Sequence, residues 1–542
     1  MTMNLHTILK SVEKPGRYTG GEWGQTIKDK NAVDVRFAFC FPDNYEIGMS
    51  NLGIRILYGV LNNEENVWCE RAYAPWPDME EKMREYGITL YAHESGDPLS
   101  DFDIVGFTLQ YELCYTNVLN MLELGGIPLL ASERGENDPI IIGGGPCAYN
   151  AEPIADFFDV LDIGEGEAML PRFTRMYAKM KREGASRAEI LRATSHLDGF
   201  YVPALYEVEY GADGTISSFE PKYDDIPRTV QKQIIADLDS VYFPDKFVMP
   251  YIETVHDRIV PEVYRGCIRG CRFCQAGMIY RPVREKSPDV LDAQCRRLYE
   301  NTGFDEISLC SLSISDYSRL GELTDKLLSW TDDKKVSLSL PSLRVDSFTK
   351  ELMEKISTVR TSGITFAPEA GTQRMRDVIN KNVHEEELLR ACANAFECGK
   401  NQVKLYFMDG LPTETREDVE GIAKLAKTVV DSYYSNPNVK RGKSPQVTIS
   451  VACFIPKPFT PFQWEAQDTI EMLEEKQHWL REAITDRKIR YTWHDARVSR
   501  IEAVFARGDR RLSAALLEAH RRGRRFDAWD EYFDYDEWLD IF

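Results

Sequence analysis

Three cysteines stand close together near the middle of the chain, in the segment YRGCIRGCRFC of residues 264–274. They are Cys267, Cys271 and Cys274, so their spacing is C-x3-C-x2-C. Iron–sulfur clusters are held by cysteine thiolates, usually four of them. Three thiolates in one short loop would hold three irons of a cubane and leave the fourth iron open to a small molecule. The alternative is a zinc site that lacks one ligand.

This spacing, with the aromatic Phe273 before the last cysteine, resembles the motif of the radical SAM superfamily. Residues 366–382 and 403–415 are similar to the later SAM-contacting strands of that superfamily. Together with its N-terminal half, nearly the whole chain resembles an uncharacterised family of radical SAM proteins with an N-terminal cobalamin-binding-like domain. The resemblance is specific for the chemistry and nearly silent on the substrate.

The resemblance implies one-electron chemistry. A reduced 4Fe–4S cluster would give an electron to S-adenosylmethionine (SAM), and the resulting 5′-deoxyadenosyl radical would abstract hydrogen from an unactivated carbon. The cofactors carry this chemistry, and the protein orients them and excludes water and oxygen. A reductant such as flavodoxin or ferredoxin is expected as a partner.

From Val260 onward, strand-like and helical segments alternate six times. This pattern predicts a partial (βα)6 TIM-like barrel, in which the chemistry lies at the carboxyl ends of the strands. The predicted strands are Val260–Tyr264, Glu306–Leu312, Val336–Leu340, Ile364–Phe366, Val403–Met408 and Val447–Phe454, with helices at Pro288–Glu300, Glu385–Cys398 and Glu417–Ser432 between them.

Polar residues follow several of these strands and are candidates for SAM binding. A guanidinium binds a carboxylate through two parallel hydrogen bonds, so Arg344 is the candidate for the SAM carboxylate. Glu369 is a candidate for a ribose hydroxyl or the amine, and Gly410 for the turn against adenine. A surface salt bridge is the alternative for the charged residues. The full SAM-binding set is Phe273, Ser311, Ser313, Arg344, Glu369 and Gly410.

The N-terminal half alternates in the same way, with strand-like runs at Val35–Phe41, Ile104–Leu109, Ile140–Ile142 and Val160–Ile163. The pattern predicts an α/β domain with a doubly wound, Rossmann-like parallel sheet. Glycine clusters follow the strand ends, where such sheets bind ligands. Ordinary tight turns are the alternative interpretation.

This half resembles a cobalamin-binding domain, but it departs from the family pattern D-x-H-x-x-G. The segment DNYEIG, residues 43–48, has Tyr45 where the cobalt-ligating histidine should be, and His93 is distant in sequence. We therefore expect any bound cobalamin to lack a protein histidine on cobalt; a domain that no longer binds corrin is the alternative. The candidate corrin-binding residues are Asp43, Gly48, Thr108, Gln110, Tyr111, Gly143, Gly144, Gly145, Gly164 and Glu165.

Five regions are predicted along the chain. They are a lead-in (1–33), the cobalamin-binding-like domain (34–170), a connector (171–256), the radical SAM core (257–485) and an arginine-rich, partly helical C-terminal region (486–542). Within the connector, Pro171–Ala193 reads as one helix, and Tyr201–Glu209 and Thr215–Phe219 read as strands.

Composition limits the setting of the protein. No run of 18 uncharged apolar residues is present and the N-terminus lacks the apolar core of a signal peptide, so neither a membrane span nor secretion is expected. Nine of the 12 cysteines are scattered singly, which is typical of a reduced, cytoplasmic protein. The net charge of −21 argues against broad affinity for nucleic acid.

The C-terminal region departs from this acidic balance, with nine arginines between Arg497 and Arg525. A basic patch could meet RNA phosphates. The alternative is a solvated helical face paired with the acidic tail.

The sequence therefore predicts a radical SAM enzyme that modifies an unactivated carbon, with methylation as one outcome and RNA as the first substrate class. The motifs PEAG (368–371) and KPFTP (457–461) are similar to those of tRNA methylthiotransferases. The N-terminal cysteines Cys40, Cys69, Cys114 and Cys147 lack the spacing of an auxiliary cluster, so thiolation is disfavoured. The alternatives are modification of a small metabolite or peptide, and a non-catalytic corrin or cluster sensor.

Overall fold

The computed structural model describes residues 5–341, 344, 364–440 and 442–542. These residues form two compact units. The first takes the described residues up to 236, together with 240–257 and 508–542. The second takes residues 237–239 and the described part of 258–507.

A six-stranded sheet forms the centre of the first unit, with strand order β2-β1-β3-β4-β5-β6. The first five strands of this order are parallel and β6 is antiparallel. Order 2-1-3-4-5 is that of a doubly wound sheet with its switch point between β1 and β3, so the predicted Rossmann-like domain is confirmed. The strands are β1 (Val35–Phe41), β2 (Val67–Tyr73), β3 (Ile104–Thr108), β4 (Ile140–Gly144), β5 (Val160–Asp162) and β6 (Phe200–Tyr201).

The helices of this unit flank the sheet, and one of them comes from the far end of the chain. The β4–β5 crossover contains only the 3-10 turns Pro146–Asn150 and Glu152–Phe157. Helix Leu512–Arg521 packs against the second turn and against helix Tyr115–Leu124, and so supplies the helix that this crossover lacks. The remaining α-helices described in this unit are Leu5–Ile8, Tyr45–Ser50, Leu52–Asn62, Pro77–Tyr86, Gly166–Arg182, Arg187–Ser195 and Tyr535–Ile541.

Two predictions for the connector were wrong in detail. The single helix expected over 171–193 is two helices, because Gly184 adopts a φ of 76° and Ser186 begins the second helix with a capping box. The strand expected over 201–209 is divided by a 3-10 turn that begins at Pro203. Its second part, β7 (Tyr206–Tyr210), pairs with β8 (Ile216–Pro221) as a hairpin.

The second unit contains parallel strands that alternate with helices, as predicted. Strands β11 and β12 pair in parallel, and β13-β14-β15-β16 form a parallel sheet. Helices Glu385–Glu397 and Arg416–Ser435 bury their apolar faces against this sheet. The strands are β11 (Glu306–Ser308), β12 (Ser337–Ser339), β13 (Ile364–Glu369), β14 (Gln402–Asp409), β15 (Gln446–Cys453) and β16 (Ile489–Trp493). The other α-helices among the described residues of this unit are Ala276–Ile279, Pro288–Thr302, Leu320–Lys334, Gln373–Val378, Ile470–Ala483 and Ala496–Arg507.

The first predicted barrel strand, 260–264, is present only as a broken ladder. Residues 259 and 262 bridge in parallel to residues 307 and 310 of the β11 segment. Pro261 has no N–H to donate, so it interrupts the ladder. The regular pairing that follows is a short antiparallel one between β9 (Tyr264–Arg265) and β10 (Arg284–Glu285).

Strand β16 was not predicted. It lies at the edge of its sheet in the described part of the chain, and Ile489 is its buried residue while the four that follow are partly or fully exposed. An edge strand of this kind carries little apolar signal. No helix among the described residues is both long enough and apolar enough to cross a membrane.

Candidate active site

The three cysteines lie in a loop that follows β9. The backbone N–H of Arg269 donates to Cys267 Sγ at 3.4 Å, and the N–H of Gly277 donates to Cys274 Sγ at 3.3 Å. Such N–H···S contacts stabilise negative charge on sulfur, as cluster ligation requires. Gly266 adopts a φ of 85°, and a Cβ there would come within 2.6 Å of a carbonyl oxygen, so the tight wrap of the loop depends on glycine.

An ion pair fixes this loop to the segment after β11. The guanidinium of Arg269 binds both carboxylate oxygens of Asp316, with Nε 2.9 Å from Oδ2. Asp316 belongs to the 3-10 turn Ile314–Asp316. A bidentate pair of this kind fixes orientation as well as distance.

The same loop is also bound to the turn after helix Gln373–Val378. Asn380 Nδ2 donates to the carbonyl oxygen of Gly270 at 2.8 Å. The N–H of Arg272 donates to the carbonyl oxygen of Ile379 at 3.0 Å. This one turn therefore holds the backbone on both sides of the middle cysteine.

Charged side chains surround the thiols. Burial raises the pKa of Cys271, while the positive charges of Lys381 and Arg344 act in the opposite direction. Burial also raises the pKa of Cys274. Lys381 Nζ lies 3.2 Å from Glu369 Oε1, so Glu369 is its counter-ion. These cations would favour the thiolate form that binds iron.

No three His, Cys, Asp or Glu side chains converge on a single metal ion anywhere in residues 5–341, 344, 364–440 and 442–542. The arrangement predicted for the cysteine loop is a different one, because a cubane takes one thiolate on each iron.

Two hydroxyls predicted to bind SAM are buried beside this loop. The Oγ atoms of Ser311 and Ser313 make no hydrogen bond of normal geometry to the described residues, and they lie near Tyr264 and Asp316 respectively. Buried polar groups are normally paired. Buried hydroxyls that make no hydrogen bond of normal geometry to the described residues therefore fit a polar ligand such as the methionine part of SAM.

The other predicted SAM residues also lie around the loop. The Arg344 guanidinium donates to the carbonyl oxygen of Asn382 at 2.8 Å, and its backbone N–H donates to Ser315 Oγ at 2.7 Å. Glu369 has a φ of 68°, which is unusual for a non-glycine residue. Contact of either side chain with SAM stays a prediction.

Gly410 and Phe273 have structural roles as well. Gly410 has a φ of 74°, its N–H donates to Glu414 Oε2 at 2.8 Å, and a Cβ there would lie 2.7 Å from Leu473. Phe273 packs against the apolar cluster of Ala370, Met375, Ile379, Leu411, Phe454 and Phe462. Their contact with SAM also stays a prediction.

The proline-rich loop after β15 rests on the cysteine loop. The N–H of Phe462 donates to the carbonyl oxygen of Arg272 at 3.1 Å, and Gln275 Nε2 donates to that of Pro458 at 3.4 Å. These bonds place the loop beside the cysteines.

A buried carboxylate ends β14, and sequence reasoning did not find it. Asp409 is 1% exposed, and neither carboxylate oxygen makes a hydrogen bond of normal geometry to the described residues. Burial, together with the negative charge of Glu414, raises its pKa to about 7. Lys476, which is 2.9 Å from Glu414 and 2.7 Å from Asp468, opposes this shift.

Asp409→Asn should therefore stabilise the apoprotein in a pH-dependent way. The folded-state pKa of about 7 lies above the value of 3.8 for the free side chain, so ionisation costs stability as the pH rises between these values. We expect no gain below pH ~4 and a gain on the order of 2 kcal/mol above pH ~7, at roughly 1.4 kcal/mol per pKa unit and allowing for relaxation. Urea unfolding at pH values from 5 to 8 measures it.

The control is Asp431→Asn, on the exposed face of helix Arg416–Ser435. It should shift stability by less than ~0.5 kcal/mol at every pH. A gain for Asp409→Asn that does not grow with pH would contradict the assignment.

The parallel strands with a cysteine loop after the first define an α/β protein that could bind a cluster and SAM at its strand ends. Residues 262–426 match the family model described as "Radical SAM superfamily", and residues 53–203 match "Radical SAM proteins, N-terminal". The chain belongs to the radical SAM superfamily and is an enzyme. That superfamily uses a 4Fe–4S cluster and SAM.

Individual proteins are also similar to the chain. An uncharacterised protein of Methanocaldococcus jannaschii is 28% identical over 520 residues, which are 93% of this chain and 98% of the relative. A putative methylthiotransferase of the same organism is 26% identical over 167 residues, 29% of this chain and 36% of the relative. The radical SAM methyltransferase TsrM of Kitasatospora setae, solved with tryptophan and a SAM analogue, has the same fold, with a TM-score of 0.50, 12% identity and coverage of 81% of this chain and 76% of that one.

In the first unit, the residue at the position of the cobalt-ligating histidine faces the protein interior. Tyr45 is 1% exposed and donates its hydroxyl hydrogen to Glu22 Oε1 at 3.0 Å. Its ring stacks on His93, with centroids 5.7 Å apart. Although distant in sequence, His93 is therefore near Tyr45 in the fold, but it is buried too.

The glycines at the carboxyl ends of β4 and β5 are packed by the chain itself. A Cβ at Gly143 would meet Phe158 at 2.7 Å, one at Gly144 would meet Asp162 at 1.8 Å, and one at Gly164 would meet the backbone of Gln233 at 2.4 Å. Close packing within the domain therefore explains these glycines. The other predicted corrin-binding residues lie around the same edge. Gly145 has a φ of 108°, and Glu165 accepts a hydrogen bond from the N–H of Ile235. Thr108 Oγ1 accepts a hydrogen bond from the exposed Gln110, and Tyr111 is half-buried.

The C-terminal segment covers the end of β1. Asp43 is 5% exposed, and its Oδ1 accepts a hydrogen bond from Trp529 Nε1 at 3.1 Å. Burial raises the pKa of Asp43 to about 6. Gly48 packs on Tyr73, which a Cβ would meet at 2.4 Å. Two predicted corrin-binding residues are thus occupied by contacts within this unit.

The arginines of this segment are paired with carboxylates of the same unit. Arg510 binds Glu152 at 3.0 Å, Arg525 binds Glu80 at 2.8 Å, and Arg522 contacts Glu518 and Asp540. Further pairs join Arg511 to Asp509, Arg521 to Glu518, and Arg524 to Asp527 and Glu537. The arginines from Arg510 to Arg525 are thus paired partly with the acidic tail, through Asp540 and Glu537, and partly with carboxylates from elsewhere in the unit.

Proposed function

We propose that the protein uses a cluster held by Cys267, Cys271 and Cys274 to activate SAM and to modify an unactivated carbon of a small metabolite or peptide, with methyl transfer as the favoured reaction. The observation that carries the proposal is the cysteine loop itself. Two of its sulfur atoms, those of Cys267 and Cys274, accept backbone N–H bonds. The loop lies beside the hydroxyls of Ser311 and Ser313, which make no hydrogen bond of normal geometry to the described residues.

The chain's own residues would bind and orient the cofactors. The three thiolates would hold three irons, and the fourth would stay open to the amine and carboxylate of SAM. Arg344 would pair with that carboxylate, because a guanidinium fits two carboxylate oxygens. The buried serines would satisfy the remaining polar atoms, and the loop 454–462 would exclude water.

Methyl transfer is favoured by two likenesses. TsrM, which shares the fold over most of both chains, is described as a radical SAM methyltransferase. A Pyrococcus horikoshii protein described as an uncharacterised methyltransferase is 20% identical over 347 residues, 61% of this chain and 66% of that protein.

If the first unit binds cobalamin, Tyr45 would not be a ligand of the cobalt. Tyr45 is buried and bonded to Glu22, so its hydroxyl is not available to a metal. Gln110 and Tyr111, in the loop after β3, would line a corrin at this edge. When bound, cobalamin supplies a methyl group carried by cobalt.

Two observations favour a small-molecule substrate over RNA. Between Arg510 and Arg525, every arginine has a carboxylate partner in the same unit. A phosphate backbone would have to compete with these partners, and the chain's net charge of −21 adds repulsion.

The test is turnover by protein reconstituted with iron and sulfide, reduced under anaerobic conditions, with and without hydroxocobalamin. We expect SAM-derived 5′-deoxyadenosine or S-adenosylhomocysteine. With hydroxocobalamin we also expect the absorbance of bound corrin and an electron paramagnetic resonance spectrum without hyperfine coupling to an imidazole nitrogen. Neither product from fully loaded protein would favour a sensor. Absence of corrin after feeding would indicate a relic domain.

Substrate class is tested separately. Mass spectra of cells with and without the gene should differ in the mass of a metabolite or peptide. When the cells are fed methionine deuterated in its methyl group, the product should contain deuterium. A changed RNA nucleoside instead would overturn the small-molecule proposal.

A further inference from the structure

One short turn brackets the middle cysteine of the loop. The carbonyl group before Cys271 accepts a hydrogen bond from the Asn380 side chain at 2.8 Å. The amide after Cys271 donates to the carbonyl oxygen of Ile379 at 3.0 Å. Because both neighbouring peptide units are bonded to this turn, the next residue, Lys381, is fixed close to the thiol.

The side chain of Lys381 is largely shielded from solvent and is held in place. The Lys381 side chain is 13% exposed and that of Glu369 is 16% exposed, and the two are paired at 3.2 Å. The backbone N–H of Lys381 donates to the carbonyl oxygen of Arg376 at 2.8 Å. Its charge acts on the thiols of both Cys271 and Cys274. No role in the site was predicted for Lys381 from the sequence.

We propose that the Lys381 ammonium, with Glu369 as its counter-ion, sets the reduction potential of the cluster. The inference rests on the proposed function, since it needs the cluster at these cysteines. Reduction adds one electron, taken from a low-potential one-electron donor, to the oxidised cluster and breaks no bond. A fixed cation nearby stabilises the added negative charge, and a fixed anion destabilises it.

The measurement is a potentiometric titration of the cluster with dithionite, followed by electron paramagnetic resonance in the absence of SAM. K381M should lower the equilibrium constant for reduction about tenfold, a shift of ~59 mV to more negative potential for a one-electron couple. E369Q should shift the potential in the opposite direction. K381R should stay close to the parent, because it keeps the charge.

The matched control is K424M, which removes a charge from an exposed position on helix Arg416–Ser435. Its potential should equal that of the parent. Shifts of the reduction potential in opposite directions for K381M and E369Q would indicate an electrostatic role. If the two variants acted only by loosening the turn, their shifts would have the same direction.

A K381M protein with full iron and the parent potential would overturn the proposal. If the K381M protein loses its cluster, the E369Q protein provides the test. An E369Q cluster with the same reduction potential as the parent would then overturn the proposal. The proposed function would fail in a different way: the parent would show no 4Fe–4S signal, or a loaded cluster with a normal titration but no turnover of SAM.

Discussion

Cys271→Ala should abolish both the iron–sulfur absorbance and all turnover of SAM. Cys271 is the middle ligand of the proposed three, and the peptide groups on either side of it are bonded to the 378–381 turn. With one thiolate missing, two irons of the cubane lack a protein ligand, and the cluster should not survive reconstitution. Iron and sulfide content, visible absorbance and 5′-deoxyadenosine yield measure the effect, which should be complete.

Cys267→Ala and Cys274→Ala should behave in the same way. Cys392→Ala is the control, because Cys392 is fully buried in the core of the second unit, among the residues that pack on its parallel sheet. It should keep full iron content and lose at most ~1 kcal/mol of folding stability. Full iron in any of the three loop variants would show that the ligand assignment is wrong.

Arg524→Ala should strongly destabilise the first unit. Its guanidinium donates to Asp527 Oδ1 at 3.0 Å from Nε and to Glu537 Oε2 at 3.2 Å. Asp527 is 1% exposed, so removal of the arginine leaves a buried carboxylate with two neutral donors, Thr116 and Trp538. Breaking a buried pair costs about 3 kcal/mol or more. Urea unfolding followed by tryptophan fluorescence measures the loss.

Arg521→Ala is the matched control from the same stretch. The Arg521 side chain is 72% exposed and lies 4.0 Å from Glu518, so its removal should change stability by less than ~0.5 kcal/mol. A stable Arg524→Ala protein would show that Arg524 does not fix the C-terminal segment.

The variant Arg521→Glu tests whether this stretch binds RNA. If the protein binds RNA with a steep dependence on salt, and Arg521→Glu abolishes that binding, the stretch contacts phosphates.

The cluster motif could be predicted because its information is local. All three proposed ligands lie within eight residues, 267–274, so their spacing alone suggests the chemistry. The fold class was predictable for a related reason. Buried parallel strands are continuous apolar runs, as in Val35–Phe41, and such runs can be recognised without knowing what they pack against.

The errors occurred where the local signal was weak or interrupted. Edge strand β16 buries little of its surface, so it lacks an apolar pattern. Pro261 removes a ladder hydrogen bond, so the first barrel strand is irregular although its composition suits a strand. Gly184 lies between two helices where the sequence predicted one helix over 171–193.

The sequence by itself determined the radical SAM chemistry and the α/β architecture. Only the tertiary structure showed that Asn380, 110 positions from Gly270, holds the cysteine loop, and that Trp529 bonds to Asp43 across 486 positions. Only the tertiary structure also showed that the C-terminal arginines are paired with carboxylates. A cluster of positive charge reads as a basic patch in sequence, but its electrostatic effect depends on carboxylates such as Glu80 and Glu152, which folding brings to it from more than 350 residues away.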